Sequence, residues 1–376
     1  MEKDNLIFIH KFLKAIADSI IKVFIPLYIL KMSNDLTLSM IYLTIYSSSV
    51  MLFMFVFRKI IEKWGVIAIF LHFIPIIATE AVFTFWNINI YSVVIAAILM
   101  AMSQALYSVP LNIAFAFGDK KTNVGKFQIA TNIGKLLFTL ISGLALSSEL
   151  EHSFLILSIS SSVFYITSVI PLIFIYKVLT EHYASFEKSG KKAIKTNKWF
   201  IIFHISFGIF QPVMDNLVPL YLYINNLSFA SVTTVIALVE FLKIAINFIS
   251  QIFVKHKKEI YLVVTGAIFF MSSILVMLFV KIPVVLYIFS CLASISFPLT
   301  FVPMFRMYSK YLQVNDNVFN GMLKRDYDIF AGRPALYALS FIGFGLIPSM
   351  IVGVVSVPVM LTSEIKLIKD ERNGSL

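Results

Sequence analysis

Long apolar runs, interrupted at short intervals by a few polar residues, fill this chain from end to end. A helix needs about 20 apolar residues to cross a bilayer. By that measure the pattern predicts twelve spans, at 7–30, 36–57, 64–84, 90–117, 126–147, 154–177, 199–223, 230–254, 260–280, 282–305, 327–345 and 347–365. Two connections are long, 178–198 and 306–326, and the second could fold as an interfacial helix. The first span breaks the apolar pattern. His10, Lys14, Asp18 and Lys22 recur every four residues, with Lys11 beside them. That spacing puts them on one slowly winding face of a helix. A charge in hydrocarbon costs about 2.5–3.5 kcal/mol on insertion scales. Such a face needs water, a partner or a solute, so this helix is expected to line a polar path.

Composition agrees. Of 376 residues, 59% are hydrophobic and 14% charged, against about 45–50% and 25% in soluble domains. The expected class is an all-α polytopic membrane protein. The first apolar run is too long for a cleavable signal and lacks a small-residue cleavage site. The single cysteine, Cys291, rules out disulfides and thiolate metal clusters within one chain. No cofactor or metal is expected.

The net charge of +11 takes its meaning from its placement. With the N-terminus in the cytosol, cytoplasmic segments hold 23 Lys and Arg, outer loops hold only Lys31 and Lys281, and six lie inside spans. The positive-inside rule is met along the whole chain. The reading is a multi-pass protein of the cell (inner) membrane with both termini cytoplasmic. Its basic residues face anionic inner-leaflet lipid rather than nucleic acid.

The chain also repeats itself. Phe24-Ile-Pro-Leu-Tyr-Ile-Leu30 returns as Leu217-Val-Pro-Leu-Tyr-Leu-Tyr223, 193 residues later, and the two blocks close the first and seventh spans. Ser108-Val-Pro-Leu111 in span 4 returns as Ser296-Phe-Pro-Leu299 in span 10, and Gly134-Lys135 in span 5 as Gly332-Arg333 in span 11. The order is the same and each match falls on the equivalent span. Two parallel six-helix halves are a transporter signature. The expected division is residues 1–177, a basic cytoplasmic linker at 178–198, and residues 199–376.

On these features the chain resembles the major facilitator superfamily. That family's loop between spans 2 and 3 usually reads Gly-x-x-x-Asp-Arg-x-Gly-Arg-Lys. Here Arg58-Lys-Ile-Ile-Glu62-Lys63-Trp-Gly65 keeps acid, base and second glycine, and loses the first glycine and the final basic pair. Glu62, Lys63 and Gly65 are therefore the candidate gating loop. The Gly-Pro-rich signature of drug/proton antiporters is absent from span 5. The resemblance implies that spans 1, 4, 7 and 10 line a central cavity, that spans 2, 5, 8 and 11 follow the seam between halves, and that spans 3, 6, 9 and 12 face lipid more.

The intramembrane charges are then the candidate site. Under the 193-residue offset Asp18 matches Gln211 and Lys22 matches Asp215. Lys22 and Asp215 are expected to face each other across the pseudo-twofold axis. Lys135 and Arg333 are repeat-related. Lys135 is expected to pair with Glu240 across the seam beside Lys243, and Arg333 to meet the Ser47-Ser48-Ser49 run or a cavity carboxylate. Asp18 and Asp215 are candidate proton carriers; Lys14, Lys22, Lys135, Gln211 and Arg333 are candidate solute contacts. His10, Lys11 and His204 are expected to snorkel toward water near span ends, and Glu80 to reach the outer interface. The excess of basic groups favours an anionic or zwitterionic solute, small or amphipathic.

The function expected is secondary active transport of a small solute by alternating access, coupled to protons, by a monomer in lipid. A lipid flippase or multidrug exporter of the same fold, or a non-transporting sensor or assembly protein, are the rivals. An intramembrane enzyme is disfavoured: the chain has no His-Glu-x-x-His and no Gly-x-Ser-x-Gly.

Overall fold

A computed structural model describes residues 3–116, 123–148, 152–189, 197–256, 258–314, 318–341 and 345–373. Among the described residues the regular structure is helical throughout. The helices are α1 (Lys3–Ile20), α2 (Ile25–Ser33), α3 (Leu36–Val56), α4 (Arg58–Leu71), α5 (Phe73–Phe85), α6 (Ile90–Ala116), α7 (Asn123–Ser147), α8 (Ser153–Ser189), α9 (Lys198–Pro212), α10 (Val218–Ile224), α11 (Phe229–Lys255), α12 (Glu259–Phe279), α13 (Pro283–Val314), α14 (Val318–Leu339) and α15 (Leu346–Arg372). Spans 1, 3 and 7 are each two helices (α1 and α2, α4 and α5, α9 and α10), which reduces fifteen helices to twelve crossings. Among the described residues, ten stretches are long and apolar enough to cross a membrane on length and composition alone. The other two crossings, span 1 and α14, carry the polar residues that matter below. Side chains start several spans: Asp35 accepts from Thr37 N at 2.8 Å, Asn197 from Trp199 N at 3.0 Å and Ser228 from Ser231 N at 3.2 Å.

Packing repeats between the halves. In the first, span 1 packs on spans 5 and 6, and span 4 on spans 2 and 3. In the second, span 7 packs on spans 11 and 12, and span 10 on spans 8 and 9. The two bundles meet chiefly where α7 runs along α11 and α3 along α14.

The repeat reaches atomic detail. A Cβ added at Gly134 would sit 2.7 Å from the Phe12 carbonyl oxygen, and one at Gly332 would sit 2.6 Å from that of Ile205. Phe12 and Ile205 are themselves 193 residues apart. Each glycine thus lets one helix close on the backbone of span 1 or span 7, and each is followed by the basic residue of the pair, Lys135 or Arg333. Spans 1 and 7 also break at one repeat position. Span 1 becomes a 3₁₀ turn at Lys22–Phe24, and span 7 a π-helical turn at Val213–Leu217. Pro26 and Pro219 follow in the first turn of the next helix, where a missing N–H costs nothing.

Three expectations are corrected. The 306–326 connection is no interfacial helix: α13 runs on to Val314 and α14 begins at Val318. Arg58 to Leu71 is one helix kinked at Trp64 (φ −128°, ψ 32°), so Lys63 and Gly65 sit on a helix rather than an open loop. The Glu62 side chain lies outside the described residues. Helix α8 continues to Ser189, so the start of the 178–198 linker is helical, while 190–196 lies outside the described residues.

Candidate functional site

A cavity of about 480 Å³ lies between the two bundles. Lys14, Asp18, Lys22, Lys135, Gln211, Asp215 and Arg333 all line it, with Glu240 and Lys243. Charged side chains from spans 1, 5, 7, 8 and 11 therefore converge on one space, because the repeat-related helix breaks and glycine contacts turn those faces inward.

On the span 1 wall, Lys14 Nζ donates to Asp18 Oδ2 at 2.6 Å and Tyr165 Oη donates to Oδ1 at 2.7 Å. Lys22 lies 3.8 Å from the same carboxylate and donates to Gln104 Oε1 at 3.4 Å. Lys14 also stands 4.4 Å over the Tyr107 ring. Two amino groups and a phenol thus surround the Asp18 carboxyl group.

The second half answers with a chain of groups across the seam. Gln211 Nε2 donates to Asp215 Oδ2 at 2.9 Å, and Lys243 lies 3.9 Å from Asp215. Lys243 donates to Glu240 Oε1 at 3.1 Å, and Lys135 of the opposite bundle lies 3.9 Å from that oxygen. Glu240 and Lys243 are buried. Arg333 Nη2 donates to Gln211 Oε1 at 2.9 Å while its guanidinium lies 4.1 Å from the Phe330 ring centre. Among the described residues no carboxylate lies within 4 Å of Arg333. An amide fixes its orientation and a ring supports its plane, leaving its charge uncompensated toward the chamber.

Several expected contacts do not form. Lys22 and Asp215 share the cavity, yet each is held by its own bundle, and no ion pair joins them. Arg333 meets neither the serine run nor a carboxylate, because Gly332 draws α14 against α9 and so onto Gln211. His10 does not snorkel: it is buried, its Nδ1 donates to the Ser168 carbonyl at 2.7 Å, and its Nε2 lies 3.1 Å from Tyr107 Oη. His204 is likewise buried, edge-on to Tyr308 at 4.6 Å. Glu80 turns into the bundle instead of reaching the interface, and is only 2% exposed. Depth along a helix was a poor guide in all three cases, because packing decides which way a side chain faces.

Other cavity residues were not singled out from the sequence. Arg325, counted there among cytoplasmic loop charges, and its neighbour Asp326 are buried at one end of the chamber. Arg325 Nε donates to Asp326 Oδ1 at 2.8 Å, and Asn112 Nδ2 of the other bundle donates to Asp326 Oδ2 at 3.2 Å. A dense run of charge, Lys324 to Asp328, reads as a loop by hydropathy alone. The phenol of Tyr165 gave no signal either.

The bundles touch at both ends of this space. At the lysine-rich end Arg58 donates to Asn320 Oδ1 at 3.1 Å, near the Asn112–Asp326 contact. At the other end the rings of Phe24 and Phe229 approach with centres 6.1 Å apart, and Lys31 stands 5.2 Å over Phe229.

Comparison with known proteins fits this architecture. No curated protein matches the chain by sequence. Among solved structures, a bacterial homologue of the iron transporter ferroportin, in an outward-facing state with soaked iron, superposes with a TM-score of 0.71 at 12% identity, covering 98% of this chain and 99% of that one. A POT family transporter in complex with a thioalcohol-conjugated peptide gives 0.64 at 12% identity, covering 98% and 96%. The human organic anion transporter MFSD10 (TETRAN) gives 0.62 at 10% identity, covering 97% and 98%. These likenesses establish the fold. The sequence profile of the Major Facilitator Superfamily matches residues 7–319. With its paired bundles, repeated packing and a chamber between them, the chain belongs to that superfamily of transporters.

Proposed function

We propose that this chain carries a small anionic or zwitterionic solute across the cell membrane by alternating access, with its termini in the cytosol and protons as the coupling ion. Membership of the superfamily implies secondary transport. The fold does not choose the solute, since its neighbours are named for iron, peptides and organic anions. The charge of the chamber supports the anionic or zwitterionic reading. Seven basic side chains line it (Lys11, Lys14, Lys22, Lys135, Lys243, Arg325 and Arg333) against four acidic ones (Asp18, Asp215, Glu240 and Asp326). A walled, low-dielectric cavity with that excess concentrates anions and repels cations. Arg333 carries the reading: a guanidinium offered to the chamber, held by Gln211 and Phe330, matches a carboxylate or phosphate fork. Lys22 and Lys135 complete a basic surface on the opposite bundle. Asp215 and Glu240 leave room for an ammonium group, which keeps a zwitterion in range.

In this mechanism the solute's anionic group replaces water at Arg333 and draws Lys22 or Lys135 toward it, shortening the seam on one side of the membrane. The halves, residues 1–177 and 199–376, then rock about the solute, with the 178–198 connection spanning between them.

Proteoliposomes holding the full chain and offered labelled organic anions, zwitterions and lipophilic cations test this. Uptake of anions or zwitterions, abolished by collapsing the proton gradient, is the expected result. Gradient-dependent expulsion of cationic dyes, with anions ignored, would overturn the solute class and favour a drug exporter.

A further inference from the structure

Glu80 lies outside the chamber, on α5 behind span 1. Its helix packs on α6 and α8, its carboxyl reaches span 1 through Ser161, and it is almost wholly shielded from solvent. Ser161 Oγ lies 2.6 Å from Oε1, and Ser162 Oγ 3.2 Å from Oε2. Those are its polar contacts among the described residues. The titratable groups on the surrounding elements include His10, Lys11, Lys14 and Asp18 on α1, His72 before α5, Tyr107 on α6 and Tyr165 on α8. None of the basic ones lies within 4 Å of Glu80 among the described residues. Lys14, on the helix next to it, is already committed to Asp18 at 2.6 Å. His72 bonds its own helix at Ile69. An ionised carboxylate here would be a buried charge with no counter-charge, which a neutral acid avoids.

Ser161 is shared between Glu80 and span 1. Ser161 Oγ also reaches the Ala17 carbonyl, at 3.2 Å. Ala17 lies in the last turn of α1, where carbonyls run out of intrahelical donors. Ser161 has one hydrogen for two acceptors. If it caps Ala17, the short contact to Glu80 must be filled by a hydrogen on the carboxyl. The oxygens touch one another, which leaves no space for a metal cation and enough for a proton.

We propose that Glu80 is a proton-binding site of this protein, occupied at neutral pH, and that it is wired to span 1 through Ser161. Losing the proton would claim the Ser161 hydrogen for Glu80, uncap Ala17 next to Asp18, and loosen the end of α1 immediately before its break at Ile21. Proton occupancy behind span 1 would then bias the helix that carries Lys14, Asp18 and Lys22. The site is separate from Asp18, whose carboxyl is held by Lys14, Lys22 and Tyr165. The site stands on the packing around Glu80, and only its consequence for transport rests on the carrier reading.

Infrared difference spectra of the full-length protein in lipid vesicles read the protonated carboxyl directly, through its carbonyl stretch. At pH 7 we expect a band that Glu80→Gln removes and that Ser161→Ala and Ser162→Ala each shift to higher frequency by deleting one hydrogen bond. Glu364, also fully buried, contributes its own band, so the assignment is made from the differences between variants. A spectrum unchanged in Glu80→Gln would overturn the proposal. Should that variant fail to fold, a band left in place by both serine variants would do so equally. Loss of the band on adding sodium at fixed pH would mark a cation site instead and also overturn it. No solute is needed, so failure here leaves the proposed solute class untouched.

Discussion

Glu240 is buried between two lysines, 3.1 Å from Lys243 and 3.9 Å from Lys135 of the other bundle. Removing one partner of such a group leaves a charge in a dry place, at a cost of about 3–5 kcal/mol. Glu240→Gln should therefore lower the melting temperature of the purified protein clearly. Replacing Glu240 and Lys243 together by Met should recover part of the loss, since an apolar pair needs no compensation. Equal melting of all three proteins would mean the pair is wet and contributes little. Arg333 has a different part to play. Its bond to Gln211 and its stacking on Phe330 orient a charge that no carboxylate neutralises nearby. A hydrogen bond to a charged group contributes about 1.5–3 kcal/mol, so Arg333→Ala should weaken anion transport roughly 10- to 100-fold. Arg333→Lys should restore only part of it, because an ammonium cannot make the fork. Uptake kinetics with the same solute distinguish these outcomes.

At the level of the helix, the informative feature is the pair of close approaches at Gly134 and Gly332. Each puts a helix face directly on the carbonyls of span 1 or span 7, with no side chain between. Gly134→Ala and Gly332→Ala should each cost about 1–3 kcal/mol by overpacking, read as a fall in thermal stability. Gly345, which has open space around it, serves only as a control for backbone strain because its φ is +69°. Much of this level was legible beforehand. The spans, their order, and the Pro-Leu-Tyr and Gly-basic repeats all follow from hydropathy and spacing, which report burial in lipid. What hydropathy cannot report is which of two dry environments a polar residue faces. Glu80, His10 and His204 sit in the bundle, and Arg325 and Asp326 in the chamber, yet all five carry the same polar signature as loop or interface residues. The helical course of 306–314 and 318–326 was hidden for that reason.

The whole molecule is two similar bundles that touch at both ends of one chamber, and the alternating access proposed above would require those contacts to break in turn. Cysteine pairs at Arg58 with Asn320, and at Phe24 with Phe229, bracket the two ends. The native Cys291 is buried, so the background of cross-linking is low. Oxidising either pair should stop net uptake and reduction should restore it; full uptake with both ends locked would end the rocking-bundle account. Spans 1 and 7 break at the same place, but not in the same way. Span 1 tightens into a 3₁₀ turn that presents Lys22, while span 7 widens into a π turn that presents Asp215. A near-symmetric frame thus offers a visitor two unlike hands, one cationic and one anionic, wound to different radii. A molecule with a head and a tail can lie between them in only one direction, so a zwitterion whose two charges are exchanged along the same skeleton must forfeit a grip at one end, and the two charge isomers should cross at measurably unequal rates.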